Sequence, residues 1–314
     1  MTTSHKSKQY WLVALKVLVL VLAVGYIVYK IKGEQLVVTT HFKQHFSLRH
    51  TPHLLFFLGL AVLNWSFEIY KWKTSVNIWF SIDLKTATKQ ALGSLTASLV
   101  TPNRIGEYGA KAMYFEPKDR KKVVFLNFVH SSSQMLVTIV FGLPALVYFI
   151  LEHGVSIAVT KIIVLVSSIL LFTFLGYTYR KKQLFISGFS IANVFAKLKE
   201  ISVKRKLGIL SLSVIRYLVF SLLFWFLLQF FGGEAPLFKG FATIFAMYLL
   251  VSVIPSFFVL DVVIRGGVAV WLFSYLGVSE VAVLSTVFCM WVLNTVLPAI
   301  IGSYFVLTFK PNYS

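Results

Sequence analysis

Residues 209–231 read ILSLSVIRYLVFSLLFWFLLQFF, and Arg216 is their only charged residue. A helix rises about 1.5 Å per residue, so a run of this length reaches across the roughly 30 Å hydrocarbon core of a bilayer. Outward from it lie further apolar runs at Trp11–Tyr29, Leu54–Tyr70, Val123–Ile150, Ile162–Tyr179 and Val281–Phe309. Charged residues make up 13% of the 314, half the share of about 25% usual in a soluble domain. That leaves too little polar surface to face water, and a mean hydropathy of +0.80 agrees. The sequence therefore predicts one polytopic all-α integral membrane domain over residues 1–314, with about six full transmembrane helices.

Two segments do not read as simple crossings. Ala87–Phe115 is interrupted by Thr101-Pro102-Asn103-Arg104-Ile105-Gly106-Glu107, and Phe241–Tyr275 by Ile254-Pro255 and again by Arg265-Gly266-Gly267. Proline lacks an amide donor and clashes with the preceding turn, so each segment is expected to break near its middle. Irregular backbone survives at membrane depth only inside protein or beside a wet cavity. Each segment thus reads as a broken or re-entrant hairpin, with Pro102, Gly106, Pro255, Gly266 and Gly267 at the hinges or tips.

A hairpin returns the chain to its starting side, so the parity of the crossings holds. With both termini cytoplasmic, 21 of the 30 Lys and Arg fall inside and 6 outside, which is the positive-inside bias. The expected location is the cytoplasmic membrane. In this topology the two broken segments enter from opposite faces, as an inverted repeat requires, with approximate halves 54–150 and 209–309. Ser98-Leu99-Val100-Thr101-Pro102 also resembles Val251-Ser252-Val253-Ile254-Pro255, and Glu107 and Asp261 follow.

Ionisable residues in spans are costly and mark partners or cavities. Arg104 and Glu107 stand three apart, Asp261 and Arg265 four apart, each on one helical face. Each pair reads either as an internal salt bridge or as a headgroup contact, because an arginine can exchange a carboxylate for a phosphate. Asn127, His130, Ser131, Ser132, Ser133 and Gln134 crowd one stretch of a crossing. They are expected to face the bundle interior, for helix–helix hydrogen bonding or for cavity lining. Arg216 and Lys16 read as snorkelling to the interface and Glu68 as solvated near it. Asn64 shares the face of Glu68, and Asn294 with Pro298 is expected to kink the last helix. The candidate lipid-binding set is Arg104, Glu107, Asp261, Arg265, Arg216, His130 and Gln134.

Other function classes find no motif. The formal net charge of +19 sits in loops and at helix ends, without a nucleic-acid-binding pattern. Cys289 is the only cysteine, so no intramolecular disulfide and no cysteine metal cluster exist. His41 and His45 have i,i+4 spacing, but no glutamate follows His41 as a zinc-protease motif requires. The first apolar run lacks a small-residue cleavage site before Lys30 and is kept as a helix. Neither a cofactor, a metal nor catalysis is expected; the expected partners are membrane lipids, and oligomeric state is not legible.

The Thr101–Glu107 motif resembles the Pro-Gly-x-x-Gly-Glu motif of the lysylphosphatidylglycerol synthase transmembrane-region family. Those flippase-like proteins include the membrane half of the multiple peptide resistance factor. Ile254-Pro255 to Gly266-Gly267 stands where that family has a second such element, and Asn64-Trp65 to Lys71-Trp72 looks like its second crossing. The resemblance runs from about Trp11 to Phe309. It departs at Ser131–Gln134, uncharged where many relatives carry charges, and at Ser256-Phe257-Phe258, where they carry glycines. It implies a lipid translocator with Arg104 and Arg265 on the headgroup and the broken helices as gates. The synthase members carry a soluble domain after the membrane part; this chain ends at Ser314, so synthase activity is not expected.

Overall fold

Apolar side chains cover much of the outside as well as the core, and polar ones are buried among them. Along one helix Leu136, Val140, Leu143, Val147 and Leu151 are exposed at helical spacing, while Asn127 and His130 on the same helix are buried. A computed structural model describes residues 51–99, 101, 104–155, 178–179, 190–254 and 261–309, of which the side chain of Asp261 is excepted. In chain order these form α1 (Thr51–Val76), α2 (Leu84–Ser98), α3 (Gly106–Ala112), α4 (Arg120–His153), α5 (Ile191–Glu200), α6 (Val203–Phe230), α7 (Leu237–Val253), α8 (Asp261–Ser274), α9 (Glu280–Trp291), a π-helical turn (Val292–Val296) and α10 (Leu297–Leu307).

Four of these are long and apolar enough to cross a membrane: α1, α4, α6 and the continuous rod Glu280–Leu307. They match four of the six spans read from the sequence. The other two, at 11–29 and 162–179, fall almost wholly outside the described residues, as do Pro102, Pro255, Lys16, His41 and His45. The broken segments are each two helices. Their arms hold 15, 7, 17 and 14 residues, all short of the about 20 that a crossing needs. The second interruption expected at Arg265-Gly266-Gly267 is not a break, because α8 runs through it. A mid-helix glycine costs only about 1 kcal/mol, and a Cβ on Gly266 would stand 3.2 Å from Leu284 of α9.

Local chemistry sets the ends. The Asp83 side chain accepts from the Thr86 amide and caps α2, and its hydrogen bonds from Thr86 hold the carboxyl below the usual range. Between α2 and α3 the Thr101 hydroxyl donates to the Ser98 carbonyl at 2.7 Å and accepts from the Gly106 amide at 2.9 Å. Arg104 turns the chain there with φ +55, a left-handed conformation rare for a side chain of its size. The kink expected at Asn294 and Pro298 is the π turn. Pro298 has no amide to give the Asn294 carbonyl, which accepts from the Trp65 indole at 3.3 Å instead.

The packing has a repeating plan. α1 lies against α6; α2 lies against α10 and α7 against α4, so the first arm of each broken segment packs on the long helix of the other half. A glycine makes each crossing close. A Cβ on Gly302 of α10 would fall 2.2 Å from the Leu92 carbonyl oxygen and 2.3 Å from Thr96 Oγ1 of α2. On Gly142 of α4 it would fall 2.9 Å from the Phe245 carbonyl oxygen and 2.6 Å from Leu249 Cβ of α7. Leu92 and Phe245, Thr96 and Leu249, and Pro102 and Pro255 are all separated by the same 153 residues. The two glycines each stand 22 residues after the first residue of their long helix, Arg120 and Glu280.

Candidate functional site: a cavity lined by three arginines

The interior polar residues divide into a cavity wall and a charged layer behind it. The cavity, of about 500 Å³, lies among α1, α4, α6, α7, α8, α9 and the α2–α3 link. That is within the range of small-molecule sites. Arg104, Arg216 and Arg265 line it, from the α2–α3 link, α6 and α8. Thr101, Gln134, Asn64, Asn294 and Thr295 add hydrogen-bonding groups, and Trp65, Phe220, Phe224, Tyr248, Met290 and Trp291 an aromatic and apolar wall. The Arg104 Nη2 donates to Thr295 Oγ1 at 3.3 Å, tying the link to the π turn.

Arg216, expected to snorkel, is instead a wall residue with 23% of its side chain exposed. Its Nη1 donates to Gln134 Oε1 at 3.1 Å, and its Nε stands 3.2 Å from Glu68 Oε2. Glu68, expected to be solvated, is in the charged layer. His130 Nε2 lies 2.9 Å from Glu68 Oε1 and Lys71 Nζ 3.2 Å from Oε2. Lys71 is 1% exposed and also donates to Gln134 Oε1 at 3.2 Å. Lys71 is three residues from Glu68 along α1, a spacing that could have signalled the contact, but Arg216 is far away in the chain and only packing brings it in.

A second pair, of buried Lys111 and half-buried Glu107, extends the layer. Lys111 Nζ stands 2.6 Å from Glu107 Oε1, donates to Asn127 Oδ1 at 2.9 Å and lies 4.0 Å from the centre of the Trp72 ring. Glu107 is thus engaged by Lys111, four residues on, where the sequence had set it beside Arg104. Glu107 and Lys111 have the spacing of Asp261 and Arg265, and both members are 154 residues apart between the halves. His130 and Glu107 do not line the cavity; they stand behind its wall. The Ser131–Gln134 run does both things expected of it: Ser133 shares a 2.8 Å hydrogen bond with Ser213 of α6, and Gln134 faces the cavity.

Across the cavity the plan repeats with a change of chemistry. Asn64 Nδ2 of α1 donates to Asn294 Oδ1 at 2.8 Å, joining α1 to the last rod as Arg216 joins α6 to α4. Asn294 follows Gln134 by 160 residues, the separation of Gly142 and Gly302. One half therefore presents an arginine where the other presents an asparagine. Among the described residues no group of His, Cys, Asp and Glu is arranged to hold a metal.

The sequence profile described as "Lysylphosphatidylglycerol synthase TM region" matches residues 13–302, almost the whole chain. The chain belongs to the lysylphosphatidylglycerol synthase transmembrane-region family. It is a multi-pass membrane protein, and the family points to a role connected with membrane lipids. No curated protein and no solved structure matches it.

Proposed function

We propose that this family member is a flippase-like translocator of a phosphate-bearing lipid, and that the three-arginine cavity is its headgroup site. The observation that carries the reading is the convergence of Arg104, Arg216 and Arg265 on one cavity whose remaining wall is largely aromatic and apolar. Guanidinium forks fit phosphate oxygens, and an apolar wall accepts the start of an acyl or prenyl chain. Formal charge points the same way. The described interior cations are Arg104, Arg216, Arg265, Lys71 and Lys111, and the acids in ion pairs with members of this set are Glu68 and Glu107. The excess is positive, which suits an anionic or zwitterionic phosphate headgroup and not a lone amine.

The arms too short to cross serve as re-entrant gates in an inverted repeat, in the cytoplasmic membrane with both termini cytoplasmic. No chemistry on the lipid is required. A proton-coupled carrier of a polar solute centred on Glu107 and Asp261 has less support, because Lys111 holds Glu107 outside the cavity. Native mass spectrometry of the detergent-purified protein tests the proposal. Wild type retains a phosphate-bearing lipid and the Arg104→Ala, Arg265→Ala double variant loses it. Equal retention in both, or none in either, sinks the site assignment.

A further inference from the structure

We infer that Glu68 is the resident counter-ion of the headgroup site, holding Arg216 until a substrate phosphate replaces it. This rests on the translocator reading and adds a residue that lies outside the cavity wall. Three observations support an exchange over a fixed salt bridge.

The first is the quality of the Arg216 contact. A guanidinium and a carboxylate ordinarily meet through two parallel hydrogen bonds. Here Nε and Oε2 are 3.2 Å apart, yet neither atom has an aligned hydrogen bond, although both are buried. The pair keeps its charge attraction and lacks its directional bonds, so Arg216 has donor capacity to offer an oxyanion in the cavity it lines.

The second is that Glu68 can release Arg216 without being stranded. An uncompensated buried carboxylate costs several kcal/mol, which would forbid the exchange. His130 Nε2 at 2.9 Å and Lys71 Nζ at 3.2 Å remain on Glu68 when Arg216 leaves. Gln134 Oε1 accepts from both Lys71 and Arg216, so the arginine is tethered to the layer it leaves.

The third comes from the other half. Counting from Asn64 and Arg216 as counterparts, Glu68 corresponds to Phe220, an apolar wall residue. A carboxylate is present in the half whose partner position is an arginine, and an aromatic ring where that partner is an asparagine. Glu68 therefore matches the charge of Arg216 and is not a general packing need of this crossing.

A counter-ion that competes with substrate lowers affinity, which lets a headgroup leave as well as enter. Removing it should tighten binding, the opposite of what loss of a structural residue does. The purified protein in detergent is titrated with dihexanoyl phosphatidic acid, and in parallel with inorganic phosphate. Glu68→Gln is expected to bind the lipid about tenfold tighter than wild type, a difference of about 1.4 kcal/mol. Adding Arg216→Gln is expected to abolish the gain. Unchanged or weaker binding by Glu68→Gln overturns the counter-ion role; lipid binding that still depends on Arg104 and Arg265 then leaves the translocator reading standing. No binding by any form overturns both. Should Glu68→Gln fail to fold, Glu68→Gln with Lys71→Gln removes one charge of each sign and carries the same expectation. A gain shared by inorganic phosphate supports the exchange and makes phosphate alone the recognised group, whereas a gain confined to the lipid supports it with the chain as part of the ligand.

Discussion

Arg104 is held in a backbone conformation that works against its own side chain. At φ +55 its Cβ crowds the following carbonyl, a cost of about 1 to 2 kcal/mol that glycine escapes. Strain of this kind persists where a side chain is needed at a particular place. Here the place is the cavity wall, with Nη2 on Thr295. Arg104→Gly is therefore expected to unfold about 1 kcal/mol less readily than Arg104→Ala, with both losing the co-purified lipid. Thermal unfolding in detergent beside lipid analysis checks this; Arg104→Gly unfolding before Arg104→Ala would remove the strain argument. The arginine itself was legible in the sequence, since a charge at a proline-marked break has few other uses. Its role apart from Glu107 was not. Spacing along one helix shows which residues share a face, and both Arg104 and Lys111 qualified as partners of Glu107. Glu68 was misread for a related reason. Its partners His130 and Arg216 sit on other helices, and no periodicity in α1 points to them.

Among elements, the legible part was the interruption of two apolar segments and their similar sequence around Thr101-Pro102 and Ile254-Pro255. The 153-residue separation of those prolines is the one that relates Leu92 to Phe245 and Thr96 to Leu249 at the two glycine crossings. A weak likeness of letters thus coincides with an equivalence of packing. The glycines themselves could not be singled out, because a glycine needed for close approach looks like any other in a helix. Contact chemistry separates them. In Gly302→Ala the new methyl meets a backbone carbonyl at 2.2 Å, and in Gly142→Ala it meets one at 2.9 Å. Overpacking of this kind costs about 1 to 3 kcal/mol. Gly59 and Gly208, with nothing within 4 Å, should gain up to about 1 kcal/mol from alanine through helix propensity. Thermal unfolding of the four variants is expected to separate them into two losses and two gains. A neutral Gly302→Ala would mean that α2 and α10 can part cheaply.

For the molecule as a whole, two contacts join helix ends that the parity count puts on the same side. The Arg205 guanidinium donates to the Asn77 carbonyl, joining the start of α6 to the end of α1, both on the side counted as cytoplasmic. Glu152 and Lys239 are 2.7 Å apart, joining the end of α4 to the start of α7 on the side counted as external. The charge count changes in detail, because Lys71 and Lys111 are buried and Arg104 lines the cavity instead of standing in a loop. Without those three the side counted as cytoplasmic still leads, with 18 Lys and Arg against 6. Cys289 is the sole cysteine and is buried, so single cysteines placed elsewhere report their own side of the membrane. Lys118, in the α3–α4 link, and Glu234, between α6 and α7, are both exposed. With the three crossings that the sequence reading puts between them, a membrane-impermeant maleimide is expected to label Glu234→Cys in intact cells and Lys118→Cys only after permeabilisation. The reverse pattern would turn the whole protein over and leave the repeat inverted. Labelling of both from one side would make the crossings between them even in number; the two broken segments would then enter from the same face, and gates that open alternately to opposite sides would lose their structural basis.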